Sequence, residues 1–381
     1  MESVWSHTTW LFTNYYFYQF VFIVAILVVI YVYQDVALYQ NYLPHVRKYE
    51  YLPSRYDLPF EDVWLNAADG VRIHGWFIRY KDPKRDLLEA YKTTPTVVFF
   101  NGHASNISYL LNMVRDMHNT VKCNVFLISY RGYGRSEGRP SEKGLMLDAE
   151  AALGFVVSRN DVNDDKIFLF GDSLGGAVAL FLAKQRSRLI KGVIIQDTFT
   201  SVPDMMTVLM PHLRHFKWFC KNQWRNTDIV QTLPPELSIL FLGAERDEWI
   251  PPRMMVKLYE DCNSTKKHVM WFPHATHYTI WQQPGYFERI NKFIYEENAD
   301  VIRHDSPSRE RRNTRRSSPS EGGEIINRRT RSMSARSEFV NPTTSNSLED
   351  ANNTFSGIEY IPLRNGLDAE KWMPSSPSAV L

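Results

Sequence analysis

The sequence predicts an α/β fold: a mostly parallel central sheet with helices on both faces, opened by an antiparallel hairpin and preceded by one membrane-crossing helix. Three observations carry this expectation. Short, almost uninterrupted apolar runs recur between residues 96 and 272, and stretches with helical patterning separate them. Runs of this kind suit strands buried on both faces, and their alternation with helices implies parallel pairing. Finally, the turn Gly171-Asp172-Ser173-Leu174-Gly175 joins one apolar run directly to an alanine- and leucine-rich segment.

The chain begins with a long uncharged stretch. From Ser3 to Gln34 there is no Lys, Arg, Asp or Glu, and YYFYQFVFIVAILVVIYVY (Tyr15 to Tyr33) is apolar on every side. A helix crosses a bilayer with about 20 such residues, and tyrosines at both ends suit the lipid–water boundary. A cleaved signal peptide fits poorly, because no basic segment precedes the apolar run and bulky residues follow it. Residues 1–34 are therefore expected to hold a retained anchor, about 12–33, giving a single-pass membrane protein. Arg47 and Lys48 place positive charge only on its C-terminal side. That favours a cytosolic domain; the opposing arrangement is type II, with the domain lumenal or extracellular. Sequons at Asn106, Asn263 and Asn352 would speak for the latter if glycosylated.

After a polar connector, residues 35–60, the globular pattern occupies residues 61–299. VWLNAADGVRIHGWFIRY (Val63 to Tyr80) reads as a hairpin turning at Asp69-Gly70. The buried strands expected next are TVVFF, NVFLISY, KIFLF, GVIIQ, SILFLG and HVMWF, beginning at Thr96, Asn124, Lys166, Gly192, Ser238 and His268. Helices are expected near 106–119, 141–159, 174–188, 251–262 and 284–297. From residue 300 to 381 the apolar periodicity stops, and basic, serine-bearing blocks such as RERRNTRRSSPSEGG take over. Such a segment buries too little to offset its ordering entropy and is expected to be disordered. Arg315-x-x-Ser318 and Arg331-x-x-Ser334 have the spacing that basophilic kinases read, which would make kinases or phospho-binding proteins partners of the tail.

Composition narrows the chemistry. With 381 residues, 44% hydrophobic and 14% aromatic, the chain can bury a large core. A net charge of +2 gives no footing for nucleic acid. Three scattered cysteines provide neither a disulfide framework nor a cysteine-rich zinc site.

The Gly-x-Ser-x-Gly turn sits where a strand meets a helix, the setting that lifts a serine hydroxyl above the sheet. An alcohol needs a base, and the base an orienting acid. AERDEWIPP, after SILFLG, offers Glu245, Asp247 and Glu248; PHATHYTIW, after HVMWF, offers His274 and His277. Asp247 and His277 are favoured, with Asp197, after GVIIQ, as reserve acid. The oxyanion of a tetrahedral intermediate would be met by the backbone N–H of Leu174 and by that of His103 or Ala104 in the loop after TVVFF. Losing one such donor costs about 2.7–4 kcal/mol of transition-state stabilisation. This chemistry requires no cofactor or metal; His103 has no partner spaced for metal ligation. Met205, Met206, Met210, Phe216, Trp218, Phe219 and Trp224, between Asp197 and Leu237, read either as a small apolar lid or as core.

These marks, with FFNGHASNISYL, SYRGYGRSEGRPSEKGLMLDAE, QDTFTSV and HATHYTIW in order, resemble the α/β-hydrolase superfamily. Within it, the chain is similar to the membrane-anchored branch of abhydrolase domain-containing protein 13. The resemblance covers roughly residues 60–298 and the anchor. It implies an α/β-hydrolase fold, a charge-relay set at Ser173, Asp247 and His277, and a structural turn at Arg131-Gly132-Tyr133-Gly134. Two positions depart from the family: its His-Gly is Asn101-Gly102 here, and its Gly-Thr-His is Ala275-Thr276-His277. The expected function is a membrane-anchored serine hydrolase of acyl esters or thioesters, with acyl-protein thioesterase (depalmitoylase) activity implied by some relatives. A lipid esterase is the alternative substrate class, so the substrate partner is an acylated protein or a lipid. A catalytically silent membrane scaffold is the alternative of another kind.

Overall fold

In the computed structural model the described residues are 2–81 and 93–299, and the tail expected from residue 300 lies outside them. Eight strands form one sheet: β1 Phe60–Asn66, β2 Arg72–Ile78, β3 Thr96–Phe100, β4 Asn124–Ser129, β5 Ile167–Asp172, β6 Gly192–Gln196, β7 Ser238–Ala244 and β8 Lys267–Phe272. Their spatial order is β1-β2-β4-β3-β5-β6-β7-β8, antiparallel from β1 through β4 and parallel from β4 to β8. Strands β3, β4, β6 and β7 are buried at every position, as their unbroken apolar runs require, whereas edge strands β1 and β8 are largely exposed or half-buried.

Alternate residues of each strand serve opposite faces. Val98 and Phe100 pack with Leu145, Leu180 and Leu258; Val97 and Phe99 pack with Leu111, Met117 and Ile290. Three helices therefore cover one face, α3 Glu142–Ser158, α4 Leu174–Arg186 and α7 Pro252–Asp261. The other carries α2 Leu111–Thr120 and α8 Tyr286–Lys292. Ser141 starts α3 by accepting the Gly144 N–H at 3.1 Å, a cap worth about 1 kcal/mol. Between β6 and β7 lie α5 Val202–Leu209, a 3-10 segment Pro211–Phe219 and α6 Asn226–Val230. At the hairpin, Gly70 adopts φ +82°, a left-handed conformation that glycine tolerates without a Cβ clash.

The N-terminal helix α1, Glu2–Tyr39, is long and apolar enough over Tyr15–Tyr39 to cross a membrane, and its side chains from Tyr15 to Tyr33 are all exposed. It does not stop at residue 34 as the connector boundary suggested. Its last turn belongs to the globular unit: Tyr39 is fully buried, donates to Asn222 Oδ1 at 2.9 Å and accepts from Trp224 Nε1 at 3.2 Å. Beyond it, Asn106 holds the connector by donating to the carbonyls of His45 and Lys48 at 2.8 and 3.0 Å. The helix end and connector thus rest on the loops after β3 and β4, at the carboxyl edge of the sheet.

Candidate active site

Ser173 links β5 to α4 with φ 54° and ψ −115°, a conformation costing about 1–3 kcal/mol in a residue with a Cβ. The flanking glycines are imposed by space. A Cβ on Gly171 would lie 2.3 Å from the Gly175 carbonyl oxygen, and one on Gly175 would lie 1.9 Å from that of Phe100. Neighbouring strands pin the turn: the Ser173 N–H donates to the Gln196 carbonyl at 2.9 Å, and Thr198 Oγ1 donates to the Ser173 carbonyl at 2.7 Å. The strain is therefore held by the sheet, and the serine is buried at 4% exposure.

The loop after β3 lies against it. A Cβ on Gly102 would be 3.3 Å from Ser173 Cβ, a contact tight enough to press on the serine. Ala104 turns the loop with φ +52°. Leu174 opens α4, so its N–H has no intrahelical acceptor. His103 and Ala104 both remain as sources of a second donor.

The loops after β7 and β8 bring an acid and a base together. His277 Nδ1 meets Asp247 Oδ2 at 2.7 Å, with both side chains buried. Asp247 Oδ1 accepts the N–H groups of Trp249 and Ile250, each at 2.8 Å, which fixes the carboxylate toward the ring. Glu248 Oε2 accepts the His277 backbone N–H at 3.2 Å, whereas Glu245 and His274 are exposed. Asp197, the reserve acid, is present too. Its Oδ1 accepts the Ala244 N–H at 2.7 Å, but its buried Oδ2 has no partner among the described residues.

Burial alone would push the His277 ring down; the hydrogen bond and charge of Asp247 outweigh it and lift the ring to about 9. Burial raises the Asp172 carboxyl and, further, that of Asp197. Asp247, through its hydrogen bond and its charge, gives the larger part of the lift, ahead of Asp172 and Asp197. His103 is driven down to about 4 by burial and by the nearby His277, and is neutral. Asp197, Asp247 and His277 place ligand atoms within 4.8 Å of one another, a spacing that could hold a cation. Asp247 already engages Nδ1 of this set in a hydrogen bond. With Nδ1–H donated to Asp247, the neutral ring presents Nε2 as an acceptor.

Sequence reasoning missed the second layer. Asp172 Oδ1 accepts from Gln196 Nε2 at 2.8 Å, and Gln196 Oε1 accepts from the Tyr286 hydroxyl. Only the position of Asp172 inside Gly-x-Ser-x-Gly hinted at it; Tyr286 lies far along the chain. The apolar residues after Asp197 divide: Trp224 is core at 1% exposure, whereas Phe216 and Trp218 are 50% and 77% exposed.

Comparison with known proteins agrees with this architecture. A hydrolase family model described as serine aminopeptidase, S33, matches residues 91–238. The alpha/beta hydrolase domain-containing protein WAV2 of Arabidopsis thaliana is 36% identical over 278 residues, covering 69% of this chain and 87% of that one. An uncharacterized membrane protein of Saccharomyces cerevisiae is 33% identical, over 70% of this chain and 90% of its own. Among solved structures, an esterase of Pyrococcus furiosus superposes with a TM-score of 0.52 at 18% identity, covering 66% of this chain and 97% of the esterase.

Proposed function

The chain belongs to the α/β-hydrolase family, and from that premise we propose that it is a membrane-anchored serine hydrolase acting on acyl esters or thioesters. The observation that carries this is the buried 2.7 Å bond between His277 Nδ1 and Asp247 Oδ2, made by the loops after β8 and β7 on the edge where strained Ser173 sits. Ser173 Oγ attacks the acyl carbonyl carbon as His277 Nε2 takes its proton. Asp247 orients the ring and compensates its charge. The oxyanion is met by the Leu174 N–H and a second N–H from His103 or Ala104. Collapse expels the alcohol or thiol, which leaves with the proton from His277. Water, deprotonated by His277, then attacks the acyl-enzyme, releases the acid and restores Ser173.

Helix α1 supplies the anchor, supported by its exposed apolar length and by the yeast relative described as a membrane protein. The substrate is then an acyl group held at the bilayer, on a protein thioester or on a lipid. Arg47 and Lys48 support a cytosolic domain. The sequon at Asn106 gives no support to the opposite topology, since its amide is fully buried and engaged with the connector.

The test is labelling by a fluorophosphonate probe. The wild-type protein is expected to label and Ser173→Ala is not; absent or equal labelling would sink the enzyme reading.

A further inference from the structure

The segment between α5 and α6 combines features that the chemistry leaves unused. From Met205 to Thr227 the chain carries Arg214, Lys217, Lys221 and Arg225 and no Asp or Glu. Interleaved with these cations, Leu209, Phe216 and Trp218 are 51%, 50% and 77% exposed. Large apolar side chains among basic ones are unfavourable against water alone and favourable in the headgroup layer of a bilayer.

Its position says which surface covers it. The Phe219 ring lies 5.5 Å from that of Tyr31, within the apolar span of α1. One turn further along α1, Gln34 Nε2 donates to the Phe219 carbonyl at 3.0 Å, and Gln34 Oε1 accepts the Lys221 N–H at 2.7 Å. Asp35 pairs with the Lys221 ammonium and accepts from Asn222 Nδ2 at 2.7 Å. Gln34 and Asp35 are the first polar and first charged residues after the apolar run Tyr15 to Tyr33. The exposed aromatic and basic side chains therefore sit at the level where α1 leaves the hydrocarbon. The segment is also tied to the active-site edge: Lys217 Nζ pairs with Asp204 at 2.6 Å, and Asn226 Nδ2 donates to the Phe199 carbonyl at 2.8 Å, two residues beyond Asp197.

We propose that Leu209–Phe219 beds in the headgroup layer of the membrane that α1 crosses, with Phe216 and Trp218 among the upper acyl chains and Arg214 and Lys217 on anionic lipid headgroups. This rests on the reading of α1 as a membrane anchor. It turns the carboxyl edge of the sheet toward the bilayer, so acyl substrates reach Ser173 from the lipid side. Each basic residue near an anionic surface contributes about 1 kcal/mol, an effect screened by salt.

The test uses the full chain reconstituted in vesicles of phosphatidylcholine, with or without phosphatidylserine. A nitroxide is placed singly through Trp218→Cys, Phe22→Cys or Glu236→Cys in a Cys220→Ser background, and its collisions with oxygen and with a water-soluble nickel chelate are compared. Position 22, within α1, is expected deep in lipid, exposed position 236 in water, and position 218 on the lipid side of the boundary. Adding Arg214→Glu and Lys217→Glu is expected to move label 218 toward water, and thermal melts verify that each variant is folded. Label 218 as wet as label 236, with label 22 in lipid, overturns the proposal and leaves the anchor standing. Labels 22 and 218 both in water overturn the anchor, and the proposal with it. Equal depth for label 218 with and without phosphatidylserine overturns the headgroup recognition.

Discussion

Asp69, Arg131 and Asp148 form one cluster of ionisable side chains in this molecule, and Asp172, Asp197, Asp247 and His277 form another. In the first, both carboxylates bond the one cation. Arg131 binds Asp69 through two nitrogens at 2.6 and 3.0 Å, and Asp148 through Nε, Nη2 and its backbone N–H at 2.8–3.0 Å. Burial disfavours the Arg131 charge, and the two carboxylates more than restore it. This cluster locks the hairpin turn onto α3 and the Arg131–Gly134 turn, although burial raises its Asp148 carboxyl as well. In the second, three acids surround one histidine and, among the described residues, only Asp247 bonds its ring. Burial raises the Asp172 carboxyl and, well above its ordinary range, that of Asp197, one oxygen of which has no partner among the described residues. A compensated cluster holds a shape, whereas an under-compensated one holds protons in unusual places, which a reaction can use.

Breaking the second cluster should stop chemistry and spare the fold. Asp247→Asn is expected to lower turnover of a chromogenic ester by about 10⁴-fold, with the thermal midpoint little changed. Breaking the first should do the reverse. Arg131→Met leaves the Asp148 carboxylate buried without its cation and is expected to cost about 3–5 kcal/mol in denaturant unfolding. Turnover per folded molecule would be retained; its loss would show that the two clusters are not separable.

A smaller effect concerns pH. Since His277 acts as a base only when neutral and is lifted to about 9, the acid limb of free-enzyme kcat/KM should lie well above the ordinary histidine range. A limb near 6.5 would mean that Asp247 does not charge-couple to the ring.

The smallest belongs to Asp197. Its raised folded-state pKa means that the unfolded chain releases a proton that the native one keeps. Stability therefore falls as pH rises from the ordinary carboxylate range toward the raised value. Asp172 contributes a slope of the same sign. Asp197→Asn should reduce that slope in melts across pH while leaving turnover within a few-fold; loss of turnover equal to that of Asp247→Asn would reassign the acid.

Much of this was legible along the chain. The buried strands of the parallel sheet, the hairpin at Asp69-Gly70 and the strand–serine–helix corner follow from local pattern, because burial on both faces selects unbroken apolar runs and a tight corner selects glycine. Less legible were features that depend on distant partners. Nothing local distinguishes Trp224, buried against Tyr39, from Trp218, exposed a few residues earlier. Nor does a sequon reveal that the Asn106 side chain is spent on the connector.

By itself, the sequence determined the fold class, the apolar length of α1 and the order in which serine, acid and histidine appear, since each depends on periodicity or on residue type at a short spacing. Only the tertiary structure decided that Asp247 faces His277 while Asp197 turns its Oδ1 to a backbone N–H, and that the last turn of α1 is part of the globular core. Those outcomes rest on the relative placement of loops from different strands. Hydrogen bonds and burial between residues far apart in the chain leave no periodic trace in it.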